Sequence, residues 1–198
     1  MSPSSKSAKE ELRRALREDA SRHDHADRER ESARICARIK EQPIWPSSKS
    51  VLFFWPMPGE PDLRPLVAEA LKSGKTVAFP KYLPESSCYA AVRITAVETD
   101  MVSGQFGIAE PASGSPDLQL KVLDLIFVPG IGFSFDGARL GHGKGHYDRL
   151  LSRVTGTRCG VAFDWQMIRE LPSEAHDVRL DCVVTPSLWR QLSNRPAI

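Results

Sequence analysis

The chain has 198 residues, of which 41% are hydrophobic and 26% charged, with a formal charge of +2, the make-up of one ordinary globular domain with a sizeable core. Nucleic-acid binding demands a larger and more one-sided basic surplus, and the small excess here lies in residues 1–42, with 11 Lys/Arg against 9 Asp/Glu. No apolar run reaches the ~18 residues of a membrane span, and the polar opening has no secretory core, so the cytoplasm is the expected location.

Taken in order, residues 1–7 are expected to be disordered and 8–198 to form a single domain. Residues 8–20 and 26–42 read as helices whose alternating charges suit a solvated face. Lys9 and Arg13, four apart, share one side of the first. The His23-Asp24-His25 run reads as a turn, because neighbouring side chains on a helix point apart and cannot close on one metal. After Pro43 and Pro46, residues 50–55 form the first buried strand, and Pro56-Met57-Pro58-Gly59-Glu60 ends it. Loops at the carboxyl ends of strands in open α/β sheets are where ligands bind. Met57 is a candidate apolar wall, and Glu60 is either a ligand-facing carboxylate or an acid at the start of a helix over 63–73.

Residues 76–80 and 89–94 read as two further strands, the second at an edge or antiparallel. Glycine and proline break the chain over 103–116. Residues 123–128 are nearly all apolar, as in a strand buried on both faces of a parallel sheet. Further on, Tyr147, Leu150, Leu151 and Val154 make the apolar stripe of a helix. Residues 157–163 give a strand, 165–170 a short helix and 181–185 the last strand. This alternation predicts a three-layer α/β/α sandwich with a mostly parallel sheet. Cys36, Cys88, Cys159 and Cys182 lie far apart, three of them in apolar runs, which reads as reduced thiols rather than a disulfide framework or zinc site.

Between the strand ending at Val128 and its helix stand Gly130, Gly132, Gly137, Gly141, Gly143 and Gly145. Backbone without Cβ approaches a ligand closely and aims successive N–H groups at an anion. Arg139 and Lys144 add fixed positive charge, the helix N-terminus adds a partial one, and Asp148 in its first turn is placed to hold a cation. The set suits a nucleoside triphosphate with Mg²⁺. A Walker A loop is excluded, since Ala138 and Gly145 stand where Gly and Ser or Thr are required. A dinucleotide fingerprint would lie closer to its strand and have an acidic partner on the next one. On the residues alone the alternatives are a Gly-rich surface loop whose charges are solvated, a small-molecule kinase or transferase, or a non-catalytic nucleotide sensor.

Pro129-Gly130, Phe133, Gly137, Arg139-Leu140-Gly141, Gly143, Gly145 and Tyr147-Asp148 together resemble the pattern P-G-x-x-F-x-x-x-G-x-R-L-G-x-G-x-G-Y-Y-D of the 5-formyltetrahydrofolate cyclo-ligases, also called 5,10-methenyltetrahydrofolate synthetases. One position departs, because His146 stands where that family has its first tyrosine. The resemblance implies ATP-dependent closure of 5-formyltetrahydrofolate, possibly polyglutamylated, to 5,10-methenyltetrahydrofolate by a monomer, with ATP and Mg²⁺ as cofactors and ADP and phosphate released. It makes Lys144 and Arg139 the catalytic pair. The nucleotide would rest on Lys9 and Arg13, which fit the family's K-x-x-x-R opening, and on Arg139, Leu140, Gly141, His142, Gly143, Lys144, Gly145, His146 and Tyr147. Met57, Glu60, His146 and Phe106, the last within a G-x-[FWY]-G-I-x-E-P segment, would seat the folate. Asp148 and Asp177, the latter in an H-D pair before the last strand, would hold the metal.

Overall fold

In the computed structural model, the described residues are 5–104, 107–174 and 177–192. The chain opens with three helices, α1 (Ser5–Ala20), α2 (His25–Lys40) and α3 (Ile44–Ser47), before β1 (Ser50–Leu52). Helix α4 (Arg64–Lys72) crosses over to β2 (Thr76–Leu83), which turns into β3 (Cys88–Ile94). A turn of helix, α5 (Val97–Asp100), leads to β4 (Met101–Ser103), β5 (Ala109–Pro111) and β6 (Asp117–Leu118). Then come β7 (Leu125–Val128), β8 (Gly132–Ser134), β9 (Arg139–Leu140) and α6 (His146–Leu151). The chain closes through β10 (Thr157–Val161), β11 (Met167–Ile168), β12 (Cys182–Val184) and β13 (Trp189–Gln191).

Eight strands make the central sheet in the order β13-β12-β10-β7-β1-β2-β3-β6. The strands β12, β10, β7, β1 and β2 run parallel, β13 and β3 flank them antiparallel, and β6 pairs antiparallel with β3 at the edge. Side chains alternate across a strand, and the apolar runs therefore feed two cores. Val51, Phe53, Leu125, Phe127 and Phe163 pack on one face with Ile35 and Ile39 of α2, Trp45 of α3 and Leu66 of α4. Leu52, Ile126, Val128 and Val183 pack on the other with Leu150 and Leu151 of α6. The expected buried strands and mostly parallel sheet are both present.

Several local expectations fail, the first two for a physical reason that the hydrogen bonding shows. Strand β2 runs through Pro80 to Leu83, paired Pro80↔Ala91 and Tyr82↔Tyr89 with β3. The Ala78 carbonyl accepts from Phe53 N–H on the β1 side, and backbone direction alternates, so Pro80's nitrogen faces the side where β1 has already ended and no N–H is wanted. The expected helix at 165–170 is a 3₁₀ turn (Asp164–Gln166) followed by β11. There Gln166 accepts from Phe163 N–H at 2.8 Å and donates to the Gly130 carbonyl at 2.9 Å, diverting the chain into a parallel pairing with β8. Helix α1 begins at Ser5, inside the stretch expected to be disordered, and α6 stops at Leu151 while Val154 stays in the core.

The Gly-rich stretch is not a simple loop. Strands β8 and β9 form a hairpin joined by β11 into a three-stranded sheet, and α1 lies on it through Leu16 against Ile131 and Leu140. The His23 run is a turn as expected: Asp24 caps α2 by accepting from Asp27 N–H at 2.8 Å, and the His23 ring stacks on Trp165 at 3.6 Å. The connection after β1 leads to β2 on one side, that after β7 to β10 on the other. The crevice between them, at the strands' carboxyl ends, is a topological switch point, the site where such sheets bind ligands.

Candidate active site

A cleft of about 830 Å³ opens at that switch point, lined by α1, the segment after β1, the β2–β3 hairpin, β5 and the chain from Arg139 to Asp148. On one wall the positive charges are already partnered. The side chain of Arg139 is 5% exposed, donates through Nη2 to both Asp148 oxygens at 3.2 and 3.1 Å, and lies over the Tyr147 ring at 5.5 Å. A Cβ on Gly141 would stand 2.7 Å from Arg139 Nη1, so the glycine makes room for this side chain. Arg13 reaches from α1 to donate to the Gly141 carbonyl at 2.9 Å. Beside it, Gly143 has φ +94°, a conformation that L side chains rarely adopt. Lys9 sits 2.9 Å from Asp177 and 3.2 Å from Glu174. Burial pulls its pKa down, but the hydrogen bonds it donates to the two carboxylates, with their negative charge, outweigh this and hold it above the ordinary lysine value.

The other wall is built of rings. Tyr82 and Tyr89 face each other across the β2–β3 ladder at 5.9 Å, and the His146 ring meets them edge-on at 4.9 and 5.6 Å. Tyr89 also touches Tyr147 at 5.6 Å, and Trp55 packs against Phe79 at 6.0 Å. Burial raises the Tyr89 and Tyr147 pKa values, and the Glu60 carboxylate adds to it, so both phenols stay protonated. Burial also lowers the His146 pKa; the Ser87 carbonyl opposes this, and the charges of Arg149 and Lys144 reinforce it. Glu60, 8% exposed, accepts from its own turn at Met57 N–H (3.0 Å) and lies 3.5 Å from His142 Nε2 of the Gly-rich stretch.

A family model described as the 5-formyltetrahydrofolate cyclo-ligase family matches residues 5–186. The chain belongs to this family. It is 31% identical over 189 residues to the 5-formyltetrahydrofolate cyclo-ligase of Mus musculus, covering 90% of this chain and 93% of that one. With the Escherichia coli K12 protein of the same name it shares 32% over 157 residues, 77% and 86% of the two chains. The solved structure of Aquifex aeolicus 5,10-methenyltetrahydrofolate synthetase superposes with a TM-score of 0.85 at 35% identity, covering 96% of this chain and 95% of that one. The Mycoplasma pneumoniae synthetase, at 20% identity and TM-score 0.73 over 90% of this chain and 98% of that one, shares the fold.

Within this cyclo-ligase fold, Lys9, Arg13, Met57, Glu60, Arg139 to Asp148 and Asp177 all line one cleft. Leu140 contributes backbone there, because its side chain is 2% exposed in the cluster under α1. Phe106 lies outside the described residues. Asp148 and Asp177 both reach the cleft wall, but each is ion-paired, to Arg139 and Lys9 respectively. Among the described residues no three His, Cys, Asp or Glu side chains gather as a metal cluster. The sequence reading missed Trp55, Tyr82, Tyr89, Glu110 and Glu174. Tyr82 lay beyond the strand end read at Pro80, and Tyr89, though placed in the next strand, was given no part in the site.

Proposed function

We infer that this cleft closes the ring of 5-formyltetrahydrofolate to 5,10-methenyltetrahydrofolate, consuming ATP and releasing ADP and phosphate. The observation that carries this is one cleft in which Lys9, Arg13, Arg139 and Lys144 meet Trp55, Tyr82, Tyr89 and Glu60. A simple kinase or a nucleotide sensor has no use for the second set. An N-formyl group is an amide and a poor electrophile, so its oxygen must become a leaving group. The formyl oxygen takes the γ-phosphoryl group as the bond to ADP breaks; N10 then attacks the formyl carbon, loses its proton, and phosphate departs with the former formyl oxygen. The protein's part is positioning and charge neutralisation, and no side chain need form a covalent bond.

Arg139 and Lys144 would stabilise charge on the transferring phosphoryl group, with Lys9 and Arg13 on the remaining phosphates. Glu60 would accept hydrogen bonds from the pterin, whose flat face suits the neighbouring rings. Mg²⁺ characteristically takes one or two carboxylates together with phosphate oxygens and water, and Asp148 and Asp177 fit that need once incoming phosphates share their cationic partners. The metal would there neutralise phosphate charge. A monomeric working unit and the cytoplasm belong to the same proposal; the buried Cys36, Cys159 and Cys182, none of them in a disulfide, suit a reducing compartment.

The test is optical. The product's conjugated amidinium absorbs in the near ultraviolet where the formyl substrate does not, so protein, ATP, Mg²⁺ and 5-formyltetrahydrofolate should develop that band with one ADP formed per ring closed. ADP without the band would assign the protein to a kinase. Nucleotide binding with neither would make it a sensor.

A further inference from the structure

Arg149 stands outside the residues assigned to nucleotide, folate or metal, yet it joins three pieces of the cleft wall. Its Nε and Nη2 fork onto the Ser87 carbonyl at 3.1 and 2.7 Å, at the tip of the β2–β3 hairpin. The same Nη2 lies 2.7 Å from His146 Nδ1 and 3.3 Å from the Lys144 carbonyl of the Gly-rich stretch. Nη2 carries two hydrogens, and the two short contacts use both. An arginine only donates, so Nδ1 must present its lone pair. The imidazole proton therefore sits on Nε2. Nδ1 has a second neighbour that asks for the opposite, the Ser87 carbonyl at 3.3 Å, which can only accept. The shorter, charge-assisted contact prevails. Ser87 itself has φ +51°, the sole non-glycine residue at positive φ among the described residues. Such a conformation is disfavoured for a residue with a Cβ and persists where neighbours hold it, as the guanidinium fork does here.

We propose that Arg149 is a positioning residue that latches the β2–β3 hairpin to the Gly-rich stretch and fixes His146 as its Nε2–H tautomer. The groups facing His146 are Arg149, Lys144, Tyr82, Tyr89 and the Ser87 carbonyl. Tyr82 and Tyr89 ride on the latched hairpin, and the tautomer leaves Nε2–H as the one donor His146 can offer, as a tyrosine hydroxyl would. The latch thus aligns the ring-lined wall of the cleft, and because Arg149 stands in α6 directly after the Gly-rich stretch, its hold on the Ser87 carbonyl ties that wall to the phosphate side.

The decisive measurement is the nitrogen spectrum of the full, ligand-free chain labelled with ¹⁵N-histidine, at about pH 8, where an ordinary imidazole is neutral. The His146→Tyr variant identifies the His146 signals by their loss. The parent should show Nε2 protonated and Nδ1 bare. In Arg149→Met, which keeps the stem and removes every donor, the proton should move to Nδ1 and bond the Ser87 carbonyl. A parent with Nδ1 protonated, or a variant with Nε2 still the protonated nitrogen, overturns the tautomer; the parent spectrum can do so even if the variant does not fold. The second measurement rests on the folate reading. Arg149→Met should raise KM for 5-formyltetrahydrofolate about tenfold, a loss of about 1.4 kcal/mol, and leave KM for ATP within about twofold. Equal rises, or none, would remove the latch from catalysis. A parent without ring-closing activity would fail the proposed function and leave the spectral test standing.

Discussion

Along the wall formed by α1 and the Gly-rich stretch, Lys9 is paired to Asp177 and Glu174, Arg139 to Asp148, and Arg13 to the Gly141 carbonyl; along the wall formed by the β2–β3 hairpin, Tyr82, Tyr89 and His146 meet ring against ring. The first wall stores its charge as ion pairs. On the proposed reading an incoming phosphate would exchange partners there, and exchange at Lys9 and Arg139 would leave carboxylates beside the phosphates, where a hard cation is at home. The second wall exchanges nothing, because its shape is present beforehand. Substitutions on the charged wall should thus act on the chemical step and on Mg²⁺, and those on the ring wall on folate affinity.

The strongest test of that division is Lys144→Ala, which should lower kcat by about 10²–10³, the loss expected when one preorganised charge is removed from a developing negative oxygen. The exposed lysine lies outside both apolar cores, so the fold should survive, as a thermal melt would show. An unchanged kcat with a modest rise in KM for ATP would mean that Lys144 contributes uniform binding. On the other wall, Glu60→Gln should raise KM for 5-formyltetrahydrofolate by about 10–10², the amount for one or two charge-assisted hydrogen bonds. The Met57 N–H contact survives in the amide. A comparable rise in KM for ATP would instead make the His142–Glu60 contact, at 3.5 Å, a brace for the phosphate side.

Some of this division was legible in the chain and some was not, for reasons that differ by residue. Val51, Phe53, Ile126 and Val128 announce buried strands because both faces of their sheet are covered, and their positions hold. Lys9, Arg13, Glu60 and Asp177 could not be assigned from spacing alone. They are brought to the cleft by α1 and by the segments after β1 and β11, over separations such as the 168 residues between Lys9 and Asp177. Only the family pattern pointed to them. Tyr82 was hidden by Pro80, which reads as a strand end unless one knows that β1 stops at Leu52 and leaves the proline's missing donor unneeded. The hairpin β8–β9 was hidden in turn by its glycines, whose use there is to admit Leu16 and Arg139 rather than to keep the backbone loose.

A smaller effect separates two uses of one carboxylate. Asp148 holds both its oxygens on Arg139, and if it also takes the metal, Asp148→Asn should shift the Mg²⁺ midpoint of the reaction upward about tenfold. The amide keeps the shape and loses the charge that a hard cation prefers. An unmoved midpoint together with a lowered melting temperature would confine Asp148 to steadying Arg139.

The smallest expected effect falls on the ring wall, at His146. Burial, with the fields of Arg149 and Lys144, holds its pKa below the ordinary value despite the Ser87 carbonyl. At pH 7 the ring is then neutral and offers one donor, as the family's tyrosine does. Protonation at lower pH places a third positive charge beside Arg149 and Lys144 and removes the lone pair that accepts from Arg149. Activity in kcat/KM should accordingly fall on an acidic limb below about pH 6.5, the unperturbed histidine value. Stability follows the same sign. The folded pKa is depressed, so the unfolded chain binds the proton more readily, and what His146 contributes is present above about pH 6.5 and lost as pH falls toward the folded pKa. His146→Tyr should remain active at pH 7 and lose the limb, since a phenol stays neutral to about pH 10. A tyrosine variant inactive at every pH, or one that keeps the limb unmoved, would show that the histidine does not replace the tyrosine's function, and the ring wall's assignment to folate would have to be rebuilt around Tyr82 and Tyr89 alone.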